Sequence, residues 1–129
     1  VRQLETGELL EVPWHLLSDT VRRMIFFLAA METNESSFIL LEEPEAHAFP
    51  FYTKFLAERL AMDRSNSYLI TTHNPYFLET LVDKVPDGDL TVYLAESEGG
   101  VSRYTRVEVS EIRDLIVEGA DVFLELGAR

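Results

Sequence analysis

Residues 38–44 read Phe-Ile-Leu-Leu-Glu-Glu-Pro, and the reading of this stretch decides the fold. Four apolar residues run directly into two carboxylates, and a proline ends the run. A short, continuous apolar segment with aromatic and β-branched members suits a strand buried on both faces of a parallel sheet. Glu42 and Glu43 then lie at its carboxyl end, where open α/β sheets place ligands. Pro44 has no amide hydrogen with which to extend the ladder, so the chain turns there. Two adjacent acids at a buried strand end cost energy unless something uses their charge. A magnesium ion held beside a nucleotide phosphate is a common use. The plainer alternative is a core strand followed by a solvated acidic loop.

Downstream, Glu45 to Pro50 reads as a short connector. A helix is expected over residues 51–63, with Tyr52, Phe55, Leu56 and Leu60 facing inward. A second strand is expected over 68–72, ending at His73. Strand, helix and strand within roughly forty residues make a βαβ unit with parallel strands and a right-handed crossover. That geometry brings Glu42, Glu43 and His73 to one edge of the sheet. Asn74 and Pro75 then open another helix as N-cap and first residue, with Leu78, Leu81 and Val82 inward.

Upstream, Val1 to Trp14 reads as a β-hairpin turning at Glu5-Thr6-Gly7-Glu8, with Leu9, Leu10 and Val12 in the return strand. Ser18 is placed to cap a helix over residues 19–32, with Asp19 favourable in its first turn. This helix is apolar on most sides apart from Arg22 and Arg23, which predicts burial on most sides. Thr33 to Ser37 is a polar loop. In the last third, Leu90–Ala95 and Val101–Val109 read as antiparallel strands around Glu98-Gly99-Gly100. Ser110 is placed to cap a helix carrying Ile112, Leu115 and Ile116. Gly119 interrupts it before a final short helix over residues 120–126. Asp87-Gly88-Asp89 has the form of a metal-binding Asp-x-Asp, but no buried strand precedes it and a turn is the better reading.

The bulk composition sets limits. The chain of 129 residues suits one domain with a modest core. It carries 23 acidic against 11 basic residues, a net charge of -12, which disfavours a nucleic-acid contact surface or an anionic membrane as its own partner. It has no cysteine, so neither disulfides nor thiolate metal sites are available. No run reaches membrane-spanning length and no signal peptide is visible, which makes the cytoplasm the expected setting. The start at Val1 raises the expectation of a processed chain or a fragment.

Three segments in this order resemble the ABC-type ATPases, in particular their SMC-like, RecF-like and OLD-like branch. Leu-Leu-Glu-Glu-Pro-Glu-Ala-His (residues 40–47) is similar to a Walker B motif and D-loop. Thr-Thr-His-Asn-Pro (71–75) is similar to a switch-histidine segment, and Leu-Ser-Asp-Thr (17–20) to a signature motif. The resemblance spans Val12 to Asp83. It implies a partial P-loop NTPase-like α/β fold, a parallel βαβ sheet with flanking helices and peripheral antiparallel hairpins. It also implies ATP and Mg²⁺ as cofactors. Glu42 would bind the metal, Glu43 would act as general base on the attacking water, and His73 would contact the γ-phosphate. Ser18, Asp19 and Thr20 would meet the nucleotide of a second subunit at a helix N-terminus. Glu45 and His47 would lie at the D-loop interface. Two departures stand out: Glu42 occupies the place where most members carry Asp, and Thr20 follows Asp19 where members usually place glycine.

No Gly-x-x-x-x-Gly-Lys-Ser/Thr occurs anywhere, so the phosphate-cradling loop with its lysine is absent. Residues 1–129 are therefore expected to be the C-terminal half of an ATPase head. Such a half would be inactive alone, with an uncovered sheet edge and an exposed apolar face. The partners implied are the missing Walker A half, a second copy in a homodimer, and DNA reached through other regions. Two other classes remain open: a non-catalytic module that keeps the fold for dimerisation or partner binding, and a metal-dependent hydrolase using Glu42, Glu43 and His73.

Overall fold

The computed structural model describes residues 2, 3 and 9–127. Strand β1 (Arg2–Gln3) pairs antiparallel with β2 (Leu9–Leu10); the expected turn at Glu5-Thr6-Gly7-Glu8 lies outside the described residues. A single 3₁₀ turn (Trp14–Leu16) leads into helix α1 (Asp19–Thr33). The central unit follows as β3 (Phe38–Glu42), α2 (Pro50–Met62) and β4 (Ser67–Thr71). Helix α3 (Pro75–Lys84) comes next, then the hairpin β5 (Val92–Glu98) and β6 (Val101–Val107), and finally α4 (Val109–Glu118) and α5 (Val122–Gly127).

Strands β3 and β4 are parallel and in full register, from Phe38 opposite Ser67 to Glu42 opposite Thr71. The mixed α/β class and the βαβ unit are therefore as the sequence implies. A polar clamp holds the amino-terminal end of this pair. Asn66 Nδ2 donates to the Asn34 carbonyl at 2.9 Å and to Asp63 Oδ2 at 3.0 Å, while its Oδ1 accepts from the Ser37 amide at 3.1 Å. Ser36 N donates to the Ser65 carbonyl at 2.8 Å. One side chain thus ties the loop before β3 to the loop before β4, and the register follows from that tie. Tyr68 on β4 also donates its hydroxyl to Asp63. Burial works against the charge on Asp63, but hydrogen bonds from Tyr68, Asn66 and Ser65 outweigh it and lower its pKa from 3.8 to about 2. Burial, together with that carboxylate, pushes the Tyr68 phenol above its ordinary value.

Two apolar clusters share one helix. The first joins Met24, Phe27 and Met31 of α1, Leu41 of β3, Leu56, Ala57, Leu60 and Ala61 of α2, and Phe77 and Leu81 of α3. The second joins Leu78 and Val82 of α3 to Val107, Ile112, Val122 and Leu126. Adjacent residues of a helix point about 100° apart, so Phe77 and Leu78 enter different clusters. Helix α3 is the shared wall, and the C-terminal hairpin and helices hang on its outer side.

The structure corrects several expectations. Strand β3 is covered on one face only: Phe38 is 64% exposed and Leu40 69%, and on β4 Leu69 is 52% exposed. Helix α1 is buried along the Met24–Phe27–Met31 stripe, while Ile25 and Phe26 face solvent. Apolar character all round thus marks surface left uncovered within this chain, not burial on every side. On α2 the buried face is Thr53, Leu56, Ala57, Leu60 and Ala61, with Phe55 at its border and 37% exposed. Small residues face the core there because α2 lies close against its neighbours. Helix α4 begins two residues earlier than a Ser110 cap suggests, with Glu108 at the N-cap position and no side-chain capping bond. The β5–β6 turn has Gly99 and Gly100 at φ 60° and 81°, values that glycine adopts without steric cost. Asp87 and Asp89 diverge to Arg113 (2.7 Å) and Arg64 (3.1 Å), so this segment is a turn.

Two predictions follow from these contacts. The Asp63 pKa is depressed on folding, so its contribution is fully present above pH 3.8 and disappears as pH falls through about 2. Asp63→Asn is expected to cost on the order of 1 kcal/mol at neutral pH after allowance for solvent screening, and to unfold with a flatter acid limb. Urea melts from pH 7 to 2 test this. Phe77, fully buried at the wall between the clusters, is expected to lose about 3–5 kcal/mol on change to alanine. Chemical denaturation should show that loss as a single cooperative shift.

Candidate functional site

The carboxyl end of the β3–β4 pair gathers the residues singled out in the sequence. Glu42 ends β3 opposite Thr71, and the Glu43 amide still donates to the Thr71 carbonyl at 2.9 Å, one step beyond the ladder. The chain then turns through Pro44 to His47, with Ala46 N bonded to the Glu43 carbonyl and Ala48 N to the Glu45 carbonyl. Glu43 and His47 both hold positive φ, 40° and 61°. Non-glycine residues adopt this region at a cost of roughly 1–2 kcal/mol.

The turn brings Glu43 and His73 together. Nδ1 of His73 lies 2.7 Å from Glu43 Oε1, and both side chains reach solvent, at 73% and 44% exposure. With the ring neutral, a proton on Nδ1 is donated to Glu43 and Nε2 is left as an acceptor. With the ring charged, Nε2 is a second donor, free to meet an anion. Glu42 is exposed on the open face of the sheet, two positions from Leu40.

Glu45 is placed differently from its expected interface position. It is 4% exposed and accepts, through Oε1, a hydrogen bond from the Thr72 hydroxyl, while Oε2 is buried with no partner among the described residues. Pro44, itself buried, turns the chain so that Glu45 points back under the strand ends. His47 is exposed.

The start of α1 abuts this turn. Ser18 Oγ caps the helix by accepting from Val21 N at 3.3 Å, Asp19 is paired with Arg22, and Thr20 Oγ1 donates to the His47 carbonyl at 3.3 Å. Arg23 donates from Nη2 to the Glu43 carbonyl at 3.3 Å, with its guanidinium 5.7 Å from the centre of the Phe27 ring. Ser18, Asp19 and Thr20 thus engage their own chain, and α1 is stitched to the Glu43 turn at two points. Sequence reasoning missed Thr72 and the bond from Arg23. The signal for Thr72 was the hydroxyl next to His73, one position beyond the end of β4.

The site is one-sided with respect to a nucleotide and its metal. Exposed Glu42 and the Glu43–His73 pair offer two carboxylates and an imidazole at one edge. No group of three or more His, Asp or Glu side chains gathers in metal-holding geometry among the described residues. The residues therefore fit part of a Mg²⁺–ATP site and call for further donors to complete it. No described helix is long and apolar enough to cross a membrane.

Comparison with known proteins agrees with this architecture. A solved structure described under "Structural biochemistry of ATP-driven dimerization and DNA stimulated activation of SMC ATPases" is similar to this chain, with a TM-score of 0.59 and 15% identity. The match covers 81% of this chain and 62% of that one, so the chain spans less than two thirds of its structural relative. At this identity the likeness shows a shared α/β fold and nothing beyond it. No curated protein matches the chain. The family model for "AAA domain, putative AbiEii toxin, Type IV TA system" matches residues 1–79, which include α1, the βαβ unit and the Glu43–His73 edge. With more than half its length inside that match, the chain belongs to this family of AAA domains.

Proposed function

We propose that residues 1–129 are the C-terminal half of an ABC-type ATPase head of the SMC-like, RecF-like and OLD-like branch, completed by a segment that carries the Walker A loop. The observation that carries this reading is the meeting of Glu43 and His73 at the carboxyl edge of the parallel pair, 2.7 Å apart. The bare sheet face supports the completion. Phe38, Leu40 and Leu69 form an apolar strip that a further layer packed on this face of the sheet would bury.

In the completed head, ATP with Mg²⁺ supplies the phosphoryl group and the charge that neutralises it. Glu42 would hold the metal, directly or through water. Glu43 would take the proton of the attacking water, and His73 would donate to a phosphate oxygen and orient that water. Their exposed ion pair is worth about 0–1 kcal/mol, so Glu43 exchanges His73 for water at little cost. Ser18, Asp19 and Thr20 at the start of α1 would face the nucleotide of a second head, with His47 beside them at the dimer interface. ATP would then close two heads on each other and hydrolysis would part them. Work on DNA would reach this chain through other regions, because its own charge of -12 repels phosphate.

A second reading has its own support. Ser18, Asp19 and Thr20 are occupied within the chain, by Val21, Arg22 and His47. A module that keeps the fold for partner binding, without turnover, fits that arrangement. Glu43→Gln in the full-length protein separates the two. Catalysis is expected to fall by about 10²–10⁴-fold while ATP-dependent dimers accumulate. An unchanged ATPase rate removes Glu43 as the base; full-length protein that binds no nucleotide leaves the interaction module.

A further inference from the structure

We propose that Glu45 is a positioning residue for the Glu43–His73 pair, acting through Thr72 on the backbone that presents His73. The inference rests on the catalytic reading of that pair and assigns it a support within the same chain.

The Thr72 hydroxyl donates to Glu45 Oε1. A carboxylate only accepts, so this bond fixes the direction of the hydroxyl hydrogen and leaves an oxygen lone pair for another donor. That donor is the Asn74 amide, at 3.0 Å. Asn74 in turn accepts from Phe77 N at 3.2 Å as the N-cap of α3. His73 sits between Thr72 and Asn74, so both of its neighbours are tied to one buried acid. Glu45 is also two residues beyond Glu43 on the same turn. The two halves of the pair thus rest on a common footing, while their own contact is exposed and weak.

Burial argues that the footing is used. Glu45 is 4% exposed, and its second oxygen lies buried without a partner among the described residues. Holding an acid side chain there is unfavourable unless its polar atoms find partners. A solvated connector acid would have turned outward. The compensation is a charge-assisted bond that sets where His73 stands.

The test uses the full-length protein carrying this chain. Glu45→Ala and Thr72→Val are expected to lower kcat about tenfold or more, with KM for ATP changed less than about twofold, because geometry and not binding is lost. Glu45→Gln and Thr72→Ser keep the acceptor and the hydroxyl, and should retain kcat within about threefold. Glu45→Ala added to His73→Ala should slow turnover no further. The second readout needs no nucleotide. The Asn74 amide should exchange its hydrogen about tenfold faster in Glu45→Ala and Thr72→Val, while amides of α2 and β3 keep their protection. Wild-type kcat and Asn74 exchange in Glu45→Ala overturn the proposal. So does a loss in Glu45→Gln as large as in Glu45→Ala, or additive losses with His73→Ala. If Glu43→Gln and His73→Ala both turn over normally, the catalytic reading fails instead, and the Asn74 exchange rates alone decide whether Glu45 holds the segment.

Discussion

Everything at the candidate site depends on the register of one five-residue parallel pairing. Side chains alternate along a strand, so a slip of one residue would send Leu41 to solvent and Leu40 to the core. It would also part Glu43 from His73. Two strands alone specify register weakly, and this pair is pinned at both ends by polar side chains. Asn66 fastens the entry loops at the amino-terminal end. Glu45 and Thr72 fasten the exit turns at the carboxyl end. Hydrogen bonds supply what the short apolar contact cannot, because they are directional.

Helix α3 carries this order outward. It begins at the Asn74 cap, directly after His73, and feeds Phe77 and Leu81 into one cluster and Leu78 and Val82 into the other. Displacing the His73 segment would disturb the start of the helix on which both clusters lean. The opposite face of the β3–β4 pair has no such backing. Its exposed Phe38, Leu40 and Leu69, with Phe26 and Ile25 on α1, represent burial not yet used, at about 25 cal/mol per Å². Stability is thus concentrated on the helical side.

The βαβ unit was legible because its signals are local: an apolar run ending in acids and proline, then another ending in histidine. The antiparallel hairpin was legible from paired glycines, and the α1 and α3 caps from Ser18 and Asn74. Burial was not legible, because it belongs to neighbours. Phe38, Leu40 and Phe26 have the character of core residues and face solvent in this chain. Glu45 has the character of a surface acid and is buried, since the turn at Pro44 and not the residue type sets its direction. The α4 start was misplaced by two residues because Ser110 is a good cap residue that the backbone bypasses. Thr72 passed unnoticed because a threonine in a strand is ordinary; only its partner gives it a role.

The contrast between footing and contact argues for how such an edge would work. Glu43 holds a strained positive φ, and three backbone bonds keep it there: its amide to Thr71, its carbonyl to Ala46 N, and the same carbonyl to Arg23. The side chain above this backbone has one exposed partner. Strain of roughly 1–2 kcal/mol in the main chain is thus offset by bonds that leave the carboxylate free to change partners. A base that must first hold water and then a proton needs that combination. Locking the side chain in a buried ion pair would instead make each change of partner cost several kcal/mol. Under the proposed role of Glu43 as general base, a rigid backbone beneath a loosely paired carboxylate suits proton transfer.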